Sequence, residues 1–414
     1  MDMAAPRLAR RITLALLVVQ SLGSAGSIGV VTVAAIVGAE LSGHAVLAGA
    51  PGATYQLGVA FAALLWGGLS DRLGRRNALS LGLGCGVIGA FGALLGVING
   101  SFALLLLGLV VMGSGTASVQ LGRFAAAEVH PIARRGRAVA TVVLGGTFGS
   151  VVGPTLVAPT GQIASGFGWT ELAGPYLTVM VMFALSILVL QLALRPDPKT
   201  IGEAIGRASS VIAAGPARSL RQILADPMVR TAVVTVVLAH AVMVGLMQMT
   251  SLHMREHQHT LAGISLVISS HVFGMYAFSM VTGWLTDRWG RLPVITAGAI
   301  ITVASCLAAP LSPHLVPLAV ALFGLGIGWN LCYVAGSALL SDALSPAEKA
   351  RTQGLNDLFV GLAGATAVLS SGVVFAGAGY AVMGVVGAAF TLPILVLVVW
   401  LRRHRLDPLR TVAG

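Results

Sequence analysis

Charge, aromatic rings and thiols are all scarce in this sequence. Only 9% of its 414 residues are Asp, Glu, Lys or Arg, against about 25% in a soluble domain. With 56% hydrophobic residues and a mean hydropathy of +0.91, there is too little polar surface to wrap the apolar volume. That excludes a soluble globular protein, and the same figures exclude intrinsic disorder. The three cysteines, Cys85, Cys306 and Cys332, lie inside apolar stretches, with no CxxC pair and no disulfide framework; they read as small buried hydrophobes. Short alternating segments are missing too, which argues against a transmembrane β-barrel. The enzyme motifs GxxxxGK[ST], HExxH and GxSxG do not occur.

What is present is a succession of apolar stretches long enough to cross a bilayer, which takes about 20 residues. Twelve are expected, at 14–39, 51–70, 78–98, 102–124, 137–159, 173–194, 229–251, 262–284, 292–310, 314–341, 351–376 and 379–401. The expected fold is an all-α integral membrane protein of twelve transmembrane helices. Its 53 glycines suit close helix packing. Arg7, Arg10 and Arg11 precede the first stretch, but it is too long for a signal peptide and eleven more follow.

The net charge of +11 follows the topology rather than marking a nucleic-acid partner. With the N-terminus inside, the outer loops hold only Arg255 of all the Lys and Arg residues. The positive-inside rule then places both termini in the cytoplasm, in a multi-pass protein whose surroundings are the lipid bilayer. The longest polar stretch, 195–228, contains RPDPK and RSLRQ and separates two six-span halves, 1–194 and 229–414. A short amphipathic helix is expected there.

The halves repeat. GGLSDRLGRR at Gly67–Arg76 matches TGWLTDRWGR at Thr282–Arg291, with Asp71 and Asp287 at an offset of 216. Farther on, Pro131 matches Pro346 at an offset of 215. This is a parallel duplication. The Gly-x-Leu-x-Asp-Arg-x-Gly-Arg pattern resembles the signature loop of the major facilitator superfamily, and its second copy keeps Gly283, Asp287, Arg288, Gly290 and Arg291. The resemblance implies two six-helix halves, a monomer, no cofactor, and a gating role for Asp71, Arg72, Gly74, Arg75, Asp287, Arg288, Gly290 and Arg291. Asp71 would accept charge-assisted hydrogen bonds as a latch on the inner face. The alternative is that the arginines only anchor topology.

Ionisable groups inside a membrane are costly and usually functional. No Asp or Glu falls mid-span, and Asp357 lies about two turns into span eleven. Histidines and methionines do. His240, Met243 and Met247 share one face of span seven, and His271 and Met275 share one face of span eight. Met243 and His271 fall roughly 12–14 Å below the outer ends of their spans. Thioether and imidazole suit a soft cation, above all Cu(I). Methionine is also a common filler of apolar cores, but at an offset of 216 the first half carries Ser27, Val31, Tyr55 and Val59 instead.

MxxxM in span seven with HxxxM in span eight resembles the signature of the CcoA-type copper importers of the bacterial inner (cytoplasmic) membrane. That family implies Met243, Met247, His271 and Met275 as copper ligands, inward transport by alternating access, and supply of copper for cytochrome oxidase assembly. Copper is the cargo rather than a cofactor. This chain lacks the cysteines associated with span seven in some members. His253, Met254, His257 and His259, in SLHMREHQHT, are possible accessory ligands at the outer mouth, and His240 is an extra ligand, a proton carrier or a helix–helix donor. The alternative function is a proton-coupled exporter of drugs or other small organic molecules.

Overall fold

A computed structural model describes residues 4–208 and 218–405; the side chain of Asp71 and those of a few other helical residues lie outside the described set. The described chain is helical throughout, without a strand. Ten helical segments are long and apolar enough to cross a membrane. The last of these, Arg351–Arg403, has 53 residues, twice what one crossing needs. It belongs to α15 (Pro346–Arg405), whose helical geometry is interrupted at Gly379, φ 76°. α2 (Ala50–Leu73, 24 residues) occupies the second expected span; its early turns carry Thr54, Tyr55 and Gln56, which dilute its apolar character. Every expected span therefore coincides with a helix, and the chain is an all-α, multi-pass membrane protein.

The described residues fall into two compact units, residues 1–212 with 258–269, and residues 213–257 with 270–414. In the first unit the remaining long helices are α1 (Ala4–Ser42), α3 (Arg75–Ile98), α4 (Phe102–Glu128), α5 (Ile132–Thr155) and α7 (Gly174–Ala193), with α6 (Val157–Gly166) a short segment after α5. α3 packs on α4 and α1 on α5. Small residues let these backbones meet, as they do in membrane helices generally. A methyl added at Gly89 would come 2.1 Å from the backbone nitrogen of Met112, and one at Gly149 1.9 Å from the Ser21 carbonyl. Large side chains such as Leu64, Ile88 and Leu192 point outward and are 68–75% exposed, the arrangement of a protein solvated by lipid.

The polar stretch after α7 forms two helices. α8 (Pro198–Ala208) is amphipathic and lays Gly202 against Glu128. α9 (Leu220–Ala225) begins with a complete capping box, Ser219 with Gln222. The second unit then takes in α10 (Pro227–Glu256), the part of α11 (Leu261–Tyr276) from Ser270 on, α12 (Ser279–Trp289), α13 (Arg291–Ala308), α14 (Leu315–Asp342) and α15. α10 starts at an Asp-Pro step, where Asp226 accepts from the Met228 amide at 2.8 Å. It packs on both α14 and α15. It also runs to Glu256, so His253 and Met254 are helical and not in a loop; Ser251–Glu256 contains no Gly or Pro to stop it.

Candidate functional site

The duplicated loops are the first landmarks. Gly74 and Gly290 stand between helices with φ 82°, ψ 162° and φ 88°, ψ 164°, a region open essentially to glycine alone. In the first unit Arg75 grips Glu128, its Nε donating to both carboxylate oxygens at 3.0 and 2.9 Å. In the second unit Arg291 Nε donates to Asp342 at 2.9 Å and Arg291 Nη1 to Asp287 at 3.2 Å. Each arginine thus ties the start of one helix to the end of the next long helix. Arg72 is exposed, and the Arg288 guanidinium lies 5.5 Å over the Trp284 ring. The Asp71 latch falls on a side chain outside the described residues.

Two carboxylates, Asp197 in the polar stretch and Glu348 in the first turn of α15, do what the sequence did not announce. Asp197 accepts from the amides of Arg75 (3.1 Å), Arg76 (2.9 Å) and Lys199 (2.9 Å), capping α3 and α8 at once. Arg218 donates through Nε to Glu348 at 2.8 Å and through Nη2 to the Ala343 carbonyl at 2.9 Å. That guanidinium, with the Ser345 amide, holds the Glu348 carboxyl well below the usual carboxylate range. His130 is half-buried with Nε2 2.9 Å from the Thr13 hydroxyl. Burial first, and then Arg134, lower its imidazole pKa.

In the second unit α14 serves as a ruler for the candidate ligands. His271 is fully buried, and its Nδ1 lies 2.7 Å from the Leu322 carbonyl. A carbonyl can only accept, so Nδ1 carries the proton and Nε2 keeps its lone pair. Nε2 is buried and has no partner. Donation from one ring nitrogen to a backbone carbonyl is the orientation that metal-bound histidines adopt. Two turns farther along α14, Asn330 Nδ2 donates to the Met275 carbonyl at 2.6 Å. There span eight breaks, between α11 and α12, at Ala277 and Phe278. Asn330 also donates to Ser279 at 2.9 Å and accepts from Thr282, so one amide fastens both sides of the break.

On α10, Met243 and Met247 are buried, 2% and 8% exposed. The His240 ring sits 6.3 Å from that of Trp329 on α14. Helical rise from that contact puts Met243 and Met247 one and two turns outward, the stretch of α14 that receives His271. All four candidate ligands are therefore buried on helices converging on α14. At the corresponding positions of the first unit, Ser27 and Tyr55 meet on one hydroxyl: Thr116 Oγ1 lies 2.8 Å from Ser27 Oγ and 2.6 Å from Tyr55 Oη.

The accessory set is arranged differently. His253 stacks on Tyr380 with ring centroids 4.4 Å apart and sits 4.4 Å from the His257 ring. His257 donates through Nδ1 to the His253 carbonyl at 2.9 Å. Met254 is fully buried, and His259 lies in the turn beyond α10. Among the described residues no three His, Cys, Asp or Glu side chains gather as a metal cluster. An apolar cleft of about 500 Å³ lined by Ala304, Leu307, Pro310, Leu311, Ala381 and Val385 offers no polar side chain.

A duplicated bundle of apolar helices, with mirrored arginine–carboxylate pairs and polar groups buried within it, is the construction of a secondary transporter and not of an enzyme. The chain belongs to the Major Facilitator Superfamily, whose family model matches residues 14–260 and 246–413. It is 36% identical to the "Uncharacterized MFS-type transporter YdeG" of Bacillus subtilis (strain 168), over 92% of this chain and 90% of that one. It is 30% identical to the "Riboflavin transporter RfnT" of Brucella anthropi, over 85% and 86%. Among solved structures it resembles a bacterial homologue of the human lysosomal transporter Spinster, with a TM-score of 0.68, 18% identity and coverage of 95% and 98%. It also resembles the xylose transporter XylE from E. coli, with a TM-score of 0.68, 16% identity and coverage of 94% and 96%.

Proposed function

We propose that this transporter carries Cu(I), inward, through a site made by Met243, Met247, His271 and Met275. The observation that carries the reading is His271: a fully buried imidazole, fixed by the Leu322 carbonyl, with an unpartnered Nε2 at the level of two buried thioethers. Neutral sulfur and nitrogen suit a soft monovalent cation. They hold it without a buried counter-charge and loosely enough to release it. The convergence of Ser27 and Tyr55 in the other half supports a matching approach of positions 243 and 271. Inward movement of a cation gains about 2.3 kcal/mol per charge per 100 mV of inside-negative potential.

The test is copper accumulation in cells expressing the chain, beside Met243→Ala and His271→Ala at equal membrane levels. Accumulation that rises with the intact protein and is lost in both variants supports site and direction together. A site-dependent fall reverses the direction. No change in copper ends the metal reading. A second reading, transport of a small organic molecule, is favoured by the relative named as a riboflavin transporter, which matches 85% of this chain; its test is uptake of riboflavin by the same cells.

A further inference from the structure

Inward of the Met/His set, four helices of the second unit bring aromatic and imidazole rings together. Trp329 and Tyr333 on α14 stack with centroids 4.7 Å apart and planes at 23°. Tyr276, the last residue of α11, meets the Trp329 ring edge-on at 5.9 Å. His240 on α10 lies 6.3 Å from it on another side. Gly364 on α15 leaves the space beside His240 open: a methyl there would come 3.2–3.3 Å from the imidazole.

Packing alone accounts for a Trp–Tyr stack one turn apart on a helix. It does not account for the nitrogens. Trp329 is 6% exposed and its Nε1, an obligatory donor, has no acceptor. His240 Nδ1 is buried and unpartnered beside it. Buried polar atoms are almost always satisfied, so two orphaned nitrogens on neighbouring rings call for an explanation that packing does not supply. His240, Tyr276 and Tyr333 are only half-buried, so their rings border accessible space. None of the four is a carboxylate or a permanently charged cation.

We infer that His240, Tyr276, Trp329 and Tyr333 form a subsite for an uncharged heteroaromatic molecule. Its carbonyl or ring-nitrogen edge accepts from Trp329 Nε1, its polar edge reaches His240, and its ring packs on the two tyrosines. Stacking and edge-to-face contact supply affinity, and the paired nitrogens supply orientation. The subsite shares none of the four proposed copper ligands, so the two stand or fall separately.

The experiment is equilibrium dialysis of the purified full chain in lipid nanodiscs against riboflavin, adenine and quinoline, with ribitol as the non-aromatic control. Binding of at least one aromatic probe and none of ribitol is expected. Trp329→Leu should weaken it by about tenfold or more, and Trp329→Phe, which keeps the ring and loses the donor, by about three- to tenfold. Cu(I) binding and the melting temperature of Trp329→Phe should stay at wild-type values, which separates loss of the subsite from misfolding. Failure of all three aromatic probes to bind, or binding indifferent to both Trp329 variants, overturns the inference. His271→Ala that abolishes Cu(I) binding but spares the aromatic probe leaves it intact.

Discussion

The same positions in the two halves have been put to different uses. In the first unit, Ser27 and Tyr55 close on Thr116, so the hydroxyls satisfy one another and act as a fastening between helices. In the second, the matching positions carry Met243 and His271, and His271 Nε2 is left without a partner. His240 Nδ1, Gln248 Nε2 and Trp329 Nε1 are unpartnered in that unit too, as Ser118 Oγ and Tyr176 Oη are in the first, so the contrast lies at the matched positions and not in the units as wholes. The arginine–carboxylate pairs, by contrast, occur in both: Arg75 with Glu128, Arg291 with Asp342. Duplication has kept what holds the helices and has changed what they present. A polar group that is paired internally is scaffold. One that is buried and unpaired costs on the order of 1–3 kcal/mol while it stays bare, a cost that a ligand bound there would relieve.

The sharpest break of that contrast is a matched pair of substitutions. His271→Ala should lower copper accumulation by tenfold or more (~1.4 kcal/mol or greater), while Tyr55→Phe keeps it within about twofold; radiotracer uptake at equal expression reads both. Equal damage from the two would erase the distinction between scaffold and site. Next come the mirrored glycines. Gly74→Ala and Gly290→Ala should each lose about 1–3 kcal/mol from backbone strain. Gly74→Ala should be the worse, since its methyl would meet the Asp197 carboxylate at 2.8 Å while Gly290 has nothing nearer than 3.9 Å. Thermal melting in detergent ranks them. Asp197→Ala should cost about 0.5–2 kcal/mol as a lost helix cap, again read by melting, with Asp197→Asn in between.

The smallest effect is one that acid removes. Arg218 depresses the Glu348 carboxyl, so the pairing contributes fully above the ordinary value of 4.5 and is lost as pH falls below it toward the folded value. Glu348→Gln should therefore melt lower than the native chain at pH 7, and the gap should narrow as the medium is acidified. A gap that holds constant into acid would mean that the pair is not what Glu348 contributes.

Hydropathy was enough to locate the helices because the bilayer imposes one length and one composition on each. The Gly74 and Gly290 turns were legible for a similar reason: their geometry admits essentially one residue. The candidate ligands could be spotted as polar or sulfur-bearing residues at helical spacing. Three things could not. The break in span eight carries no proline, and Asn330, which fastens it, lies more than fifty residues away in sequence. The tautomer of His271 depends on the Leu322 carbonyl, which every residue type possesses. The extension of α10 through His253 and Met254 turns on helix propensity where the polar composition suggested a loop. In the first two cases a long-range contact, or a backbone group without a side-chain signature, decided the outcome; in the third, local propensity did.

The interruption after Met275 has a mechanical meaning. A continuous helix behaves as a shaft, transmitting a twist at one end to the other through its ladder of hydrogen bonds. Span eight is instead two shorter rods with a joint, His271 and Met275 on one rod and the Asp287–Arg291 loop adjoining the other. Asn330 is the pin of that joint, since it grips Met275 on one rod and Ser279 and Thr282 on the other. Torque on the arginine-rich end therefore reaches the candidate ligands partly through a single side-chain amide on a different helix. A residue that touches neither cargo nor latch is thus placed to set how stiffly the two are coupled.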